Sequence, residues 1–415
     1  MFISFIVSLV GILALSNAEL LFVSEISRHG IRAPGIIYDL AKDPSENFQI
    51  PYKLSPSGQR QHYLIGAEIR RRYMENEPII SKKYNNTEVF FRSSNSRRTL
   101  ESLESQLIGL YSPEDCYETL NDFQQNKAIP PFEFEGMDEI IEEEGSSALP
   151  SCHSLPPIFS RNRYYDFKLS MFTAICPVYK LINDDLKDSR KLKVIQQPYV
   201  EHLNKLLKPI INESLTPAEA LTYCKYLMNA RIHNIELVLN YTSEDNAQCL
   251  ELIDTQLFYE VWGNNILWKL GSKRFLEHLL YSMEEILKGK SEERLHINVG
   301  HDMTLALVLN GLGYQIRTQP PFGSTLFFEL RSKDDKSGYY VRTLYNDEPI
   351  TFGQCEEQEG SLEGCSFEVF KKNIEDRMIK GNIYEICGDD EQLKKIEDIF
   401  SHYELLETSE LEFLK

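Results

Sequence analysis

The sequence predicts an α/β fold: a three-layer α/β/α core around a mostly parallel central sheet, with a helical cap inserted in the chain. Two observations carry this. First, a short apolar, β-favouring run, then a polar tight loop, then a segment of helical spacing recurs within 20–75, 88–111 and 294–313. Second, the stretch 113–289 is helix-leaning with scattered prolines, which reads as an insert rather than as more of the sheet. The chain has 415 residues, 42% hydrophobic and 26% charged. That balance is ordinary for a globular protein, and the length suffices for one large elaborated domain or for two.

LLFVSEIS (20–27) reads as a strand that ends at an RHG bend. LSPSGQRQHYLIGAEIRRRYME (54–75) opens with Ser-Pro, a helix-start signal, and carries Leu64, Ile65, Ile69 and Tyr73 at helical spacing. EVFFRSS (88–94) is a second strand and NSRRTLESLESQLIGLY (95–111) a second helix. RLHINVG (294–300) is a third strand, and HDMTLALVLNGLG (301–313) a helix stopped by glycine. STLFFEL and YYVRTLY are two later strands. There is no internal repeat and no low-complexity tract. The expected organisation is a discontinuous core of 19–112 and 290–415, with 113–289 capping it and part of that insert packing on the core. In parallel sheets ligands bind at the carboxyl ends of strands. Here those ends carry SRHGIRAP, RSSNSRR and GHDMT.

The N-terminus suggests a secretory route. FISFIVSLVGILAL (2–15) is followed by small residues at Ser16 and Ala18, which fits a signal peptide over 1–18 cleaved after Ala18, although no Lys or Arg precedes the run. The run is short for a membrane-spanning helix, which needs about 20 residues, so no stable membrane anchor is expected after cleavage. Eight cysteines fit an oxidising compartment, and Cys355 and Cys365, flanking a short acidic loop, are the expected local bridge. Glycosylation sequons begin at Asn85, Asn212 and Asn240. The expected location is the medium or a lysosomal or vacuolar lumen. Neither Cys-x-x-Cys nor His-x-x-x-His occurs, so the spacing suggests no zinc site. A net charge of −19 argues against nucleic-acid partners and anionic membranes. Such a chain repels anions at long range, so an anionic ligand needs a local cationic pocket.

SRHGIRAP supplies the elements of one. Arg28 and Arg32 offer planar, bidentate donors suited to an oxyanion. Gly30 lets backbone approach closely, and Pro34 stiffens the exit. His29, between the arginines, is a candidate nucleophile or base. Arg92, at the end of the second strand, adds a third guanidinium; His301 and Asp302 add a donor and a carboxyl. Taken singly each has a blander reading: a solvated arginine, a core histidine, an aspartate in a helix first turn. Together, R-H-G-x-R-x-P arises by chance in such a chain on the order of once in ten thousand. Arg97 and Arg98 read as surface residues, one of them placed to pair with Glu101. His62, His153, His202, His233, His278, His296 and His402 belong to no constellation and read as structural.

On SRHGIRAP, LSPSGQRQHYLIGAEIRRRY, VFFRSSNSRRTLES and VGHDMTLALVLNGLG, the chain resembles the histidine acid phosphatases, the acid-phosphatase and phytase branch of the histidine phosphatase superfamily. Its flavour is that of the lysosomal and prostatic type. The resemblance implies two-step phosphoryl transfer. His29 is then the nucleophile, Asp302 the proton donor, and Arg28, Arg32, Arg92 and His301 the phosphate ligands, with no metal and no cofactor. It also implies a small-molecule phosphomonoester or phosphoprotein substrate, and leaves a homodimer open. Position 31 is Ile where some relatives carry a polar residue, and Met303-Thr304 stands where phytases of the family often have a more polar continuation, which favours a general phosphomonoesterase over a phytase. Three alternatives stand beside it: a phytase-like inositol phosphate phosphatase, a phosphotransferase or mutase of the wider superfamily, and an inactive secreted ligand-binding glycoprotein of the same fold. The last should lack His29, Arg32, Arg92, His301 or Asp302, all of which are present.

Overall fold

The central strand is β1 (Leu20–Arg28), buried along almost its whole length. In this computed structural model, residues 18–112, 119–132, 134–149, 156–262, 264–333, 337–358, 360 and 362–388 are described. The expected signal peptide up to residue 17, Cys116, Cys152, His153, His402 and the C-terminal segment from 389 lie outside the described residues.

β1 pairs in parallel with β4 (Leu295–Gly300), placing Arg28 opposite Gly300. β4 pairs in parallel with β2 (Val89–Ser94), with Arg92 opposite Asn298. A short strand β3 (Phe159–Arg161) extends this parallel run at the edge. It comes from the helix-leaning stretch, and three exposed residues leave no alternating pattern to announce it. On the other side of β1, β5 (Thr325–Ser332) and β6 (Tyr339–Tyr345) add antiparallel strands. The link between them is too short for a crossover, so they form a hairpin. β7 (Glu348–Pro349) and β8 (Cys365–Ser366) both pair with β6. The strands expected to carry the site all belong to the parallel half, and all six residues of β4 are buried, as a strand covered on both faces should be.

One face is covered by α1 (Pro56–Arg70) and α2 (Arg97–Leu110). Ile69, Leu103 and Leu107 share a core there with Val23, Phe91 and Ile297. Ser55 caps α1, its hydroxyl accepting from Gly58 N–H at 3.2 Å, and Pro56 opens the helix. The helical path runs on through one π turn at Arg71–Asn76. The two helices lie unusually close: a Cβ at Gly66 would stand 1.8 Å from the Gln106 carbonyl oxygen. The opposite face is covered by α9 (Asn265–Leu287), α10 (Asp302–Leu312) and α11 (Phe367–Arg377), whose Phe275, Leu276, Leu305 and Phe370 pack on Phe22, Ile26 and Phe328. Each such buried side chain contributes about 1.5–3 kcal/mol. α10 ends at Gly313, left-handed at φ 102°.

Between β2 and α9 run α3 (Asp122–Lys127), α4 (Met137–Glu144), α5 (Pro177–Asp188), α6 (Arg190–Leu207), α7 (Pro217–Ile232) and α8 (Ser243–Trp262). Leu203, Leu227 and Leu252 give α6, α7 and α8 a core of their own, which also takes Leu40 from the chain after the RHG bend. Tyr38 stacks on Tyr223 with ring centroids 3.8 Å apart. The helical unit is thus tied to the loop that leaves the first motif. Cys355 bridges Cys365 as expected, and Cys176–Cys387 and Cys224–Cys249 are further bridges.

Candidate active site

Strand register brings the motifs together. Arg28 stands opposite Gly300, and His29 N–H donates to the Gly300 carbonyl at 3.1 Å, so His29 and His301 leave adjacent parallel strands at the same level. Their rings meet edge to face at 5.6 Å. The bend is pinned against both covering helices. Gly30 N–H donates to Ser102 Oγ at 3.1 Å, and Ile31 N–H to Gln61 Oε1 at 2.9 Å. A Cβ at position 30 would lie 2.4 Å from the Gly58 carbonyl oxygen, so only glycine admits this contact.

His29 is almost fully buried. Its Nδ1 lies 2.9 Å from the Gly30 carbonyl oxygen. A carbonyl only accepts, so Nδ1 carries the proton and Nε2 the lone pair. Burial, and then Arg98, Arg28, Arg32 and His301, hold the imidazole well below its usual pKa. The ring is a neutral base among cations.

Arg28 is buried and its guanidinium stands over Phe322, 3.9 Å from the ring centroid. It donates to the Pro320 carbonyl and reaches Asp302 Oδ2 at 3.2 Å. Arg32 donates to the Ala33 carbonyl at 2.6 Å; burial beside Arg98 and Arg28 lowers its pKa to about 9. His301 accepts at Nδ1 from Arg98 Nη2 at 3.1 Å, and its Nε2 lies 2.9 Å from Ser94 Oγ. Burial and Arg98 lower His301 to about 3, so it too is uncharged at mildly acidic pH. Asp302 accepts from Met303 N–H at 2.8 Å and from Gln319 Nε2 at 2.6 Å. Burial pushes this carboxyl upward, but Arg28, the Met303 N–H, His301 and Lys225 outweigh it, and its pKa falls to about 2.

Two of the expectations change. Arg92 does not join this group. Its guanidinium donates to Asp166 Oδ1 at 2.7 Å, and the leading charges acting on His29 are those of Arg98, Arg28, Arg32 and His301. The reason is position along the strand: Arg92 lies two residues short of the end of β2, and its side chain is taken up by a buried aspartate below the edge. Arg98, read from sequence as a surface residue, is the third guanidinium of the pocket. It sits in the first turn of α2, from which it spans to His301. A signal was available: a helix N-terminus disfavours cations, yet the first turn of α2 holds two arginines and no acid. Arg97 is exposed, as expected. Tyr52, also missed, stands with its ring 5.1 Å from the Arg32 guanidinium and 5.3 Å from that of Arg98, on a backbone with φ 61°.

The Nε–H donors of Arg28, Arg32 and Arg98 are buried and, like that of Arg92, have no acceptor among the described residues. Three unfilled guanidinium donors around a neutral imidazole form a receptor for a tetrahedral oxyanion. Asp302, beside Arg28, supplies a carboxyl at the rim.

Fold and site together define an α/β protein with an oxyanion pocket built around a neutral histidine. Residues 44–346 match the histidine phosphatase superfamily (branch 2), and the chain belongs to that family. It is 23% identical over 338 residues to a lysosomal acid phosphatase of Xenopus laevis, covering 80% of this chain and 70% of that one. It is 23% identical to a prostatic acid phosphatase of Bos taurus, covering 81% of each. A lysophosphatidic acid phosphatase type 6 of Mus musculus is 25% identical over 71% of this chain and 61% of its own. Among solved structures, the apo form of a Hafnia alvei phytase superposes with a TM-score of 0.62 at 14% identity, over 88% of this chain and 98% of that one. This last likeness concerns the fold. Among the described residues, no helix is long and apolar enough to cross a membrane.

Proposed function

We propose that the protein is an acid phosphatase that hydrolyses phosphate monoesters through a phosphohistidine at His29. The observation that carries this reading is the His29 tautomer: Nδ1–H is committed to the Gly30 carbonyl, which leaves the Nε2 lone pair for attack. Nε2 bonds to phosphorus as the ester P–O bond breaks in line. Arg28, Arg32 and Arg98 hold the equatorial oxygens, where the charge lies in the transition state, and His301 turns to them the Nε2–H that otherwise faces Ser94 Oγ. The leaving oxygen takes a proton from Asp302. Water then attacks the phosphohistidine, the P–N bond breaks, and inorganic phosphate departs as the Asp302 carboxylate receives the water's proton.

Asp302 is ionised in the free protein, so the acid must be generated on binding. A phosphate dianion engages Arg28 and adds negative charge beside the carboxyl. Both effects raise the Asp302 pKa and draw in a proton. Acidic pH supplies that proton, and His29 stays neutral there because burial and the arginines oppose its protonation. The helical unit of 113–289 is a cap over the core in this reading. Secretion is supported by the three disulfides among the described residues and by the exposure of Asn212 and Asn240.

The test is hydrolysis of p-nitrophenyl phosphate from acid to neutral pH, with EDTA present, for wild type and His29→Ala. The expected result is an acidic optimum that survives EDTA and is abolished in the variant. A folded wild type with no activity, or a variant that keeps its rate, refutes the phosphohistidine route.

A further inference from the structure

Arg92 and Asp166 have no part in the mechanism above, yet they form an ion pair whose carboxylate is buried and whose guanidinium is partly exposed. Asp166 is fully buried. Its Oδ1 accepts from Arg92 Nη2 at 2.7 Å and from the N–H groups of Lys168 and Leu169 at 3.3 and 3.2 Å. The carboxylate therefore folds the turn at 166–169 around itself. The Leu169 carbonyl then accepts from Thr304 Oγ1 at 2.8 Å, and Thr304 Oγ1 accepts from the His301 N–H at 3.1 Å. Phe172, just beyond this turn, packs edge to face on the His301 ring at 5.2 Å. Hydrogen bonds linked through the backbone of Leu169 thus lead from the Arg92 guanidinium to the backbone of His301.

We propose that Arg92 is a positioning residue for His301 and Asp302, acting through Asp166 and the Leu169 carbonyl. The proposal rests on the phosphohistidine reading of the site. A buried carboxylate needs compensating charge, and Arg92 supplies it from β2. Without it the turn loses its hold, the Leu169 carbonyl drifts, and the first turn of α10, which presents both His301 and Asp302, loses its anchor. Displacements of about 1 Å at a reacting group cost on the order of 10²-fold in rate, and a partial loosening costs less.

The experiment uses the full chain and the variants Arg92→Met, Arg92→Lys, Asp166→Asn and the Arg92→Met/Asp166→Asn double. Read-outs are kcat and KM for p-nitrophenyl phosphate, competitive inhibition by inorganic phosphate, and amide hydrogen exchange at His301 and Thr304. Arg92→Met and Asp166→Asn each lower kcat about tenfold and change phosphate inhibition less than about threefold. The double variant is no worse than the poorer single one, because both cut the same run of bonds. Arg92→Lys restores most of the rate. Exchange at His301 quickens in Arg92→Met and Asp166→Asn and not in Arg92→Lys. If Arg92→Met weakens phosphate inhibition about 100-fold while Asp166→Asn leaves it intact, Arg92 is a direct phosphate ligand and the proposal falls. Multiplicative single effects, or exchange at His301 unchanged in both single variants, also overturn it. Exchange is read without turnover, so the outcome is distinguishable from a failure of the phosphohistidine mechanism. Should Arg92→Met not fold, Asp166→Asn, which keeps the side-chain shape, carries the test.

Discussion

His29 and Gly30, neighbours in sequence, are joined by a hydrogen bond of 2.9 Å from the imidazole Nδ1 to the next carbonyl. That contact selects the tautomer, and the surrounding arginines oppose a second proton. The first prediction follows. His29 stays uncharged as pH falls from 7 to 5, where an ordinary histidine becomes protonated with a pKa near 6.5. Imidazole NMR of selectively labelled protein checks this. A His29 resonance that titrates near 6.5 contradicts a neutral nucleophile as the origin of activity in acid.

The second prediction separates two arginines six positions apart. Arg98→Ala lowers kcat/KM by about 10²–10³-fold, the usual cost of one donor to transition-state charge. Arg98→Lys recovers only part of it, because an ammonium cannot serve phosphate and His301 with a fork of donors. Steady-state kinetics of both variants, compared with Arg92→Met, shows which guanidinium touches substrate.

The third concerns Asp302. Asp302→Asn removes the proton donor and keeps the shape. Turnover of an alkyl phosphate, whose leaving alkoxide needs a proton, should fall by about 10²-fold or more. p-Nitrophenyl phosphate should lose less in its first step, because its leaving group is stable as an anion. Equal losses in the rate of phosphohistidine formation on the two substrates argue against Asp302 as the acid.

The fourth prediction addresses stability. Glu25 is fully buried in β1, and burial raises its pKa to about 8, only partly offset by Ser27, Gln106 and Asn298. Between the unfolded value, near 4.5, and 8, the folded state holds a proton that the unfolded state releases. Stability from this group is therefore fully present below about 4.5 and is lost as pH rises, by about 1.4 kcal/mol per pH unit. Glu25→Gln cannot lose a proton. Its melting temperature relative to wild type should climb steadily between pH 5 and 8. A difference that does not change with pH refutes a neutral Glu25.

Several features were readable because they are local. The strand, bend and helix of the first motif lie in one continuous segment, and their apolar spacing and capping residues act over a few positions. Cys355–Cys365 was legible for the same reason, its partners being 10 residues apart. Cys176–Cys387 spans 211 residues, and nothing in the spacing selects that pairing. β3 was missed because its three exposed residues are recruited by the edge of β2 and have no pattern of their own.

The amino-acid sequence by itself determined the α/β class, the order of the motif-bearing strands, and the presence of a histidine, arginines and an aspartate at their ends. Tertiary structure alone decided which arginines meet. Arg92 and Arg98 lie in the same short segment, and the one local signal, two arginines and no acid in a helix first turn, marks Arg98 as unusual without saying what it meets. The end of β2 leaves Arg92 below the sheet edge, paired with Asp166, whereas the first turn of α2 carries Arg98 over that edge to His301. Spacing along a chain specifies helices and strands. The convergence of side chains from separate elements depends on strand register and helix phase, which exist only once the sheet has formed.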